Sequence, residues 1–331
     1  MDSLTETMAN ARLDDQSGEL EELLFRPQTD SGLPENALDH IPRYLFRVVS
    51  PRSRGETNET WVRSELAYRN RESSKEDIFF GLDTKKRTTI AQTLNSHLRW
   101  WRELDLEDNF VSWTSSLLYA IRYIYYLRLT SEDDSNLEDF KLYVIDTTRF
   151  STETFIRDLD LIDTFCGFDD NHQSKNLESM QNLRTNLGYY FGEYLSQGAL
   201  KIADKHQIIS GKSLFDGDLL CRLQPQLAEI KKSKNGKPEW AKGVLRLRDS
   251  IWLSPEQQRL TSLEMLKRLW AVGEIADKLE RSWRFPITIY FAALISRQSE
   301  TKDLVTETDN VFFQHFRSKS FYIKSTTMVF F

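Results

Sequence analysis

One stretch of this chain narrows its possible folds more than any other. FVSWTSSLLYAIRYIYYL, residues 110–127, changes its hydrophobic period part-way. Its opening, from Asn109 to Ser112, reads as a strand. Further on, Leu117, Leu118, Ile121, Ile124 and Tyr125 recur at i, i+1, i+4, i+7 and i+8, which is one apolar stripe of a helix. Between the two, Thr114 or Ser115 supplies the hydroxyl of a helix N-cap. Strand, polar turn and helix start therefore meet within about six residues, and a mixed α+β architecture is expected.

Two further strands are readable. Arg43–Ser50 is short, rich in β-formers and bracketed by Pro42 and Pro51. Side chains alternate along a strand, so Tyr44, Phe46 and Val48 share one face and Leu45, Arg47 and Val49 the other. Arg47 thus stands between apolar neighbours, an odd place for a solvated charge. Lys141–Asp146, KLYVID, reads as the third strand, and residues 88–103 as a helix. Past residue 205 the pattern turns helical. Ser254-Pro255-Glu256-Gln257 is a helix-start signal, and Leu263, Leu266, Trp270 and Ile275 supply the apolar face behind it. The expected organisation is a disordered acidic leader over 1–40, a mixed domain over 41–205, a helical region over 206–300 and a tail over 301–331.

Charge excludes some functions. Residues 1–40 hold ten Asp/Glu against two Arg, which is −8 of a chain total of −6, so the remainder is close to neutral at +2. No basic surface of the kind that binds nucleic acid is indicated, although one phosphate pocket remains compatible. Cys166 and Cys221 form no CxxC pair and no disulfide framework, which favours a reducing, cytoplasmic setting. No run approaches the length of a membrane span, so no membrane partner is expected. Gly211-Lys212-Ser213 ends like a phosphate-binding P-loop, but His206 stands where the pattern needs its first Gly. The five histidines are scattered, so no metal site is expected.

Three segments in order carry a resemblance. They are LFRVVSPRS with Arg47, FVSWTSSLLYA with Ser112, Thr114, Ser116, Leu117 and Ala120, and GEYLSQGAL with Glu193 followed by Gly198 and Leu200. Together they resemble the arginine–serine–glutamate class of ADP-ribosyltransferases, of the heat-labile enterotoxin type. The pair PRYLFRVVSPRS and SWTSSLL is also similar to an uncharacterised fungal domain family of no established activity. The enterotoxin-type resemblance implies a split β-sheet core with flanking helices, here followed by a helical C-terminal region. It implies NAD as a substrate, with ADP-ribose passed to an unknown protein or small-molecule acceptor or to water. Arg47, Ser112 and Thr114 would bind the dinucleotide, and Glu193 would be catalytic.

The chemistry accounts for these residue types. Cleaving the nicotinamide–ribose bond develops an oxocarbenium-like ribose, as in glycoside hydrolysis. The planar Arg fork suits phosphate oxygens. Ser112 and Thr114 would fix the strand and hydrogen-bond the glutamate. A carboxylate placed to stabilise the developing cation contributes about 3–4 kcal/mol. There are departures from the pattern. Trp113 is bulkier than the usual middle residue and threatens to crowd the pocket. Phe191 stands where arginine-modifying members carry a second Glu. The distance from Ser112 to Glu193 implies an insertion around 151–185. Each residue also has a plain alternative: Arg47 as an edge-strand charge, Ser112 and Thr114 as a turn and cap, and Glu193 on the solvent face of a helix spanning 178–197. A rival reading keeps the fold but has Trp113 and Phe191 block catalysis, which leaves an inactive binding or regulatory module.

Overall fold

The computed structural model describes residues 22–101, 108–129, 133, 135–169, 175–232, 237–253 and 260–295. The expected leader up to residue 21, the Ser254 start signal and the tail from 301 lie outside the described residues.

A curled antiparallel half-barrel forms the centre of an α+β fold. Its strands are β1 (Glu22–Leu23), β2 (Tyr44–Val49), β3 (Glu56–Thr57), β4 (Trp61–Arg63), β5 (Phe110–Thr114), β6 (Lys141–Asp146), β7 (Ile156–Arg157), β8 (Glu193–Lys201) and β9 (His206–Ser210). The main path runs β3-β4-β8-β5-β2-β6-β9. Strand β8 pairs with β5 over residues 193–197 and with β4 over 199–201, and its other edge takes β7 and β1. The two halves of the sheet join thinly. β2 pairs with β6 along its whole length but meets β5 only at Phe46 opposite Thr114. A sheet held by one bridge at its middle splays there, and the splay opens a cleft.

Three of the expected elements form close to where the sequence places them: β2, β6, and the helix Leu117–Leu129 behind β5. The apolar stripe of that helix is buried, with Ile121 and Ile124 fully covered. The helix Thr84–Arg99 starts from Asp83, whose side chain accepts from the Lys86 amide, and stops at Trp100, which has φ +58°. Three expectations need correction. The stretch 178–197 is not one helix. A helix covers Leu177–Thr185, and Glu193 opens β8, because the register with β5 outweighs the helical period. Residues 22–40 belong to the fold, since β1 pairs with β8 and Phe25 is fully buried. On the helix Ser262–Ala276, Met265, Leu269, Val272 and Ile275 face the core, while Leu263 and Trp270 are 62% and 56% exposed.

The apolar interior is shared across residue 205. Tyr44 and Phe46 of β2 pack in one cluster with Leu269, Val272, Trp283, Ile287 and Phe291 of the C-terminal helices. Strand β9 adds to the edge of β6. The helical region is thus the second layer of the sheet's own core.

Candidate functional site

The cleft lies where β2 and β5 diverge. It has a volume of about 260 Å³, near the lower end for small-molecule sites. Arg47, Ser112, Thr114 and Glu193 all line it, together with His97, Tyr119 and Tyr123. Each comes from a different place in the sequence, and the sheet register brings them together. Glu193 sits opposite Thr114 at the end of the β5–β8 ladder. Ser112 is two residues back on the same face of β5, and its hydroxyl donates to Glu193 Oε1 at 2.8 Å.

Arg47 reaches across the splay and joins the two half-sheets. Its Nη1 donates to the carbonyl of Ser112 at 2.9 Å and its Nε to Thr57 Oγ1 at 3.2 Å. Burial lowers its pKa well below the ordinary guanidinium range, to about 10. Among the described residues no carboxylate forms an ion pair with it. A half-buried guanidinium that bonds neutral oxygens among the described residues is an incomplete arrangement. An anion entering the cleft would complete it.

Thr114 takes a different part from that expected. Its hydroxyl donates to the Phe191 carbonyl at 2.6 Å and accepts from the Ser116 amide at 3.0 Å. It ties down the chain just ahead of Glu193 and the turn out of β5. The hydroxyl that caps the following helix is that of Ser116, accepting from the Tyr119 amide at 3.2 Å. Of the two strand hydroxyls only that of Ser112 bonds the glutamate. Trp113 does not crowd the cleft with its ring. It points to the opposite face, is 1% exposed, packs among Leu45, Tyr143 and Phe155, and donates from Nε1 to Ser196 Oγ at 2.9 Å. Phe191 stacks on Tyr119 with ring centres 5.1 Å apart, in an aromatic cluster with Trp100, Tyr123, Tyr126 and Trp240. Gly198, five residues after Glu193, has φ +62° and its backbone bonds Ser64 and Asn109, at the point where β8 passes from β5 to β4.

Two neighbours of the glutamate escaped sequence reasoning. The first is Arg184, at the end of the helix Leu177–Thr185. Its Nη2 lies 2.5 Å from Glu193 Oε2, and its Nε lies 3.2 Å from Asp158 Oδ2. Burial works against the Arg184 cation, but the charges of Asp158 and Glu193 outweigh it and hold its pKa above the ordinary value. Asp158 is fully buried, and burial pushes its carboxyl up to about 7 against the pull of Arg184. Both residues lie in the expected insertion, which therefore backs Glu193 from behind the cleft. The second neighbour is His97, in the last turn of the helix Thr84–Arg99. Its Nε2 lies 2.8 Å from Ser112 Oγ and its Nδ1 2.7 Å from Asp108 Oδ2. Fifteen residues separate His97 from Ser112, so no local spacing pointed to the contact.

Residues 40–200 match the family model described as Domain of unknown function (DUF7587). The match spans Arg47, His97, Ser112, Asp158, Arg184 and Glu193, so the whole polar centre lies inside the matched region. Neither the curated proteins nor the solved structures yield a match to this chain. Among the described residues no helix is long and apolar enough to cross a membrane.

Proposed function

We propose that the cleft binds NAD and that Glu193 acts on its nicotinamide–ribose bond, passing ADP-ribose to an acceptor or to water. One observation supports this above the others. Arg47, Ser112 and Glu193, chosen as an ordered set along 147 residues of chain, line a single cleft and are linked within it by direct hydrogen bonds. The chemistry of the donors fits an anionic dinucleotide. Arg47 is a part-buried cation without a carboxylate partner among the described residues, suited to a pyrophosphate oxygen. The Tyr119–Phe191 pair offers an aromatic face to a planar ring. Glu193 would accept a hydrogen bond from a ribose hydroxyl and favour the positive charge that develops as the glycosidic bond breaks. The electron pair of that bond leaves with nicotinamide, and the acceptor's nucleophile takes its place on the ribose.

A second reading rests on Arg184. A carboxylate already paired with a buried cation at 2.5 Å has less negative potential to offer a developing oxocarbenium. On this reading the site binds the dinucleotide without turning it over, as a recognition module. One series of measurements separates the two. Purified protein is incubated with NAD labelled in the nicotinamide, and binding is followed by calorimetry in parallel. The enzymatic reading expects nicotinamide release that falls about 100-fold or more in Glu193→Gln. The binding reading expects heat of binding without release, with release gained in Arg184→Gln. Absence of both heat and release removes the dinucleotide proposal.

A further inference from the structure

His97 does more than fill a corner of the cleft. Three short contacts form an unbranched run: Asp108 Oδ2 to His97 Nδ1 at 2.7 Å, His97 Nε2 to Ser112 Oγ at 2.8 Å, and Ser112 Oγ to Glu193 Oε1 at 2.8 Å. Each of these three links needs one hydrogen. Two carboxylates supply none, the Ser112 hydroxyl supplies one and a neutral imidazole supplies one. The run is therefore one proton short unless one of its acids or its imidazole carries an extra one.

The surroundings decide where that proton rests. Glu193 Oε2 is already paired with the Arg184 guanidinium. Asp108 Oδ1 accepts from the Phe110 amide. His97 is in the final turn of its helix, where unpaired carbonyls favour a cation. The edge contact with the Phe110 ring carries no charge. Burial and the Arg47 cation oppose protonation of His97, but Asp108 and, at longer range, Glu193 outweigh them and raise its pKa above the usual 6.5.

We infer that His97 is a positioning residue for Glu193, acting through Ser112 in its doubly protonated form. As an imidazolium it donates from Nδ1 to Asp108 and from Nε2 to Ser112 Oγ. The hydroxyl hydrogen then has one destination, Glu193 Oε1. When His97 loses a proton, the hydrogen that stays sits on Nδ1 facing Asp108. Nε2 becomes an acceptor and draws the Ser112 hydrogen to itself. Glu193 Oε1 then meets an oxygen lone pair where it had a donor, and its carboxylate keeps only the Arg184 contact on Oε2. The site is thus assembled below the raised pKa of His97 and released as pH rises through it. The functional part of this inference rests on the dinucleotide reading, while the proton count does not.

The test has two arms on the full-length chain. In the first, nitrogen-15 spectra of the histidine side chains are recorded from pH 5 to 9 without NAD, and His97 is assigned by its loss in His97→Gln. The expected result is an imidazolium with both nitrogens protonated at pH 6.5, whose pKa falls in Asp108→Asn. A neutral imidazole at pH 6.5, or a titration indifferent to Asp108→Asn, overturns the inference. In the second, NAD affinity is measured by calorimetry across the same range. Wild type is expected to weaken on the order of tenfold as pH rises through the His97 pKa, the worth of one hydrogen bond to a charged group. His97→Gln, which keeps one non-titrating amide donor for Ser112, is expected to lose that pH dependence and to bind more tightly than His97→Ala. A wild-type pH profile that survives in His97→Gln overturns the positioning role. If the first arm succeeds and no NAD binds at any pH, the dinucleotide reading fails and the proton assignment stands.

Discussion

Arg47 shows how a single residue can be kept at the expense of stability. Burial lowers its pKa to about 10, so the folded site disfavours the cation. Its hydrogen bonds to Ser112 and Thr57 are with neutral groups and recover part of that cost. A side chain of similar length without the charge ought then to be tolerated. Arg47→Met is expected to melt at or above the wild-type temperature, while affinity for NAD or inorganic pyrophosphate drops about tenfold to 100-fold. Thermal melts with and without inorganic pyrophosphate check both halves. Wild type should gain stability from the anion by mass action, and the variant should not. A variant that melts well below wild type would show that Arg47 is a structural strut between the half-sheets and not a site cation.

The placement of Glu193 depends on the turn that introduces β8. Gly192 has φ +67°, a region that costs an L-residue about 1–2 kcal/mol. A Cβ there would also lie 2.0 Å from Ser115 Oγ and 3.3 Å from Ser115 Cβ. Gly192→Ala is therefore expected to lower stability by about 2 kcal/mol and to displace the carboxylate from Ser112. The same change in a Ser115→Gly background removes the collision but keeps the backbone cost, so it should recover only part of the melting temperature. Full recovery would mean the backbone sign is unimportant. This turn also marks the limit of what the sequence discloses. β2 and β6 are legible because a short β-rich run between breakers has few other uses. The strand-to-helix junction at 110–129 is legible because the period changes within it. β8 is ambiguous, since its approach fits a helical period as well, and only pairing with β5 settles its conformation. Arg184 and His97 could not be read at all. Their meaning comes from helix ends that meet Glu193 and Ser112 in space, and nothing in their own neighbourhoods announces it.

On the scale of the whole molecule, the matched region 40–200 and the helices after it depend on one another. The expected boundary at 205 falls inside a continuous core. Tyr44 meets Trp283 and Tyr290 with ring centres 6.0 and 5.9 Å apart, and Phe46 meets Tyr290 at 5.2 Å. Across the cleft's aromatic wall Trp240, on the helix Lys237–Arg248, stacks on Trp100 at 5.7 Å. A chain ending at residue 205 would uncover Tyr44, Phe46, Leu117, Leu118, Ile121, Ile124, Leu142 and Val144, all buried in that shared cluster. Each such side chain contributes about 1.5–3 kcal/mol when covered, so their exposure removes roughly 10 kcal/mol or more. That is comparable with the entire stability of an ordinary domain, about 5–15 kcal/mol. The same truncation deletes β9 and leaves the β6 edge unpaired, a template for association. The fragment is expected to lack a cooperative melt and to aggregate, whereas the full-length chain should melt as one transition. Circular dichroism melts with size-exclusion chromatography distinguish the outcomes. A soluble, cooperatively folded 1–205 fragment would show that the sheet has a sufficient core of its own, and that the C-terminal helices were added to a domain already complete.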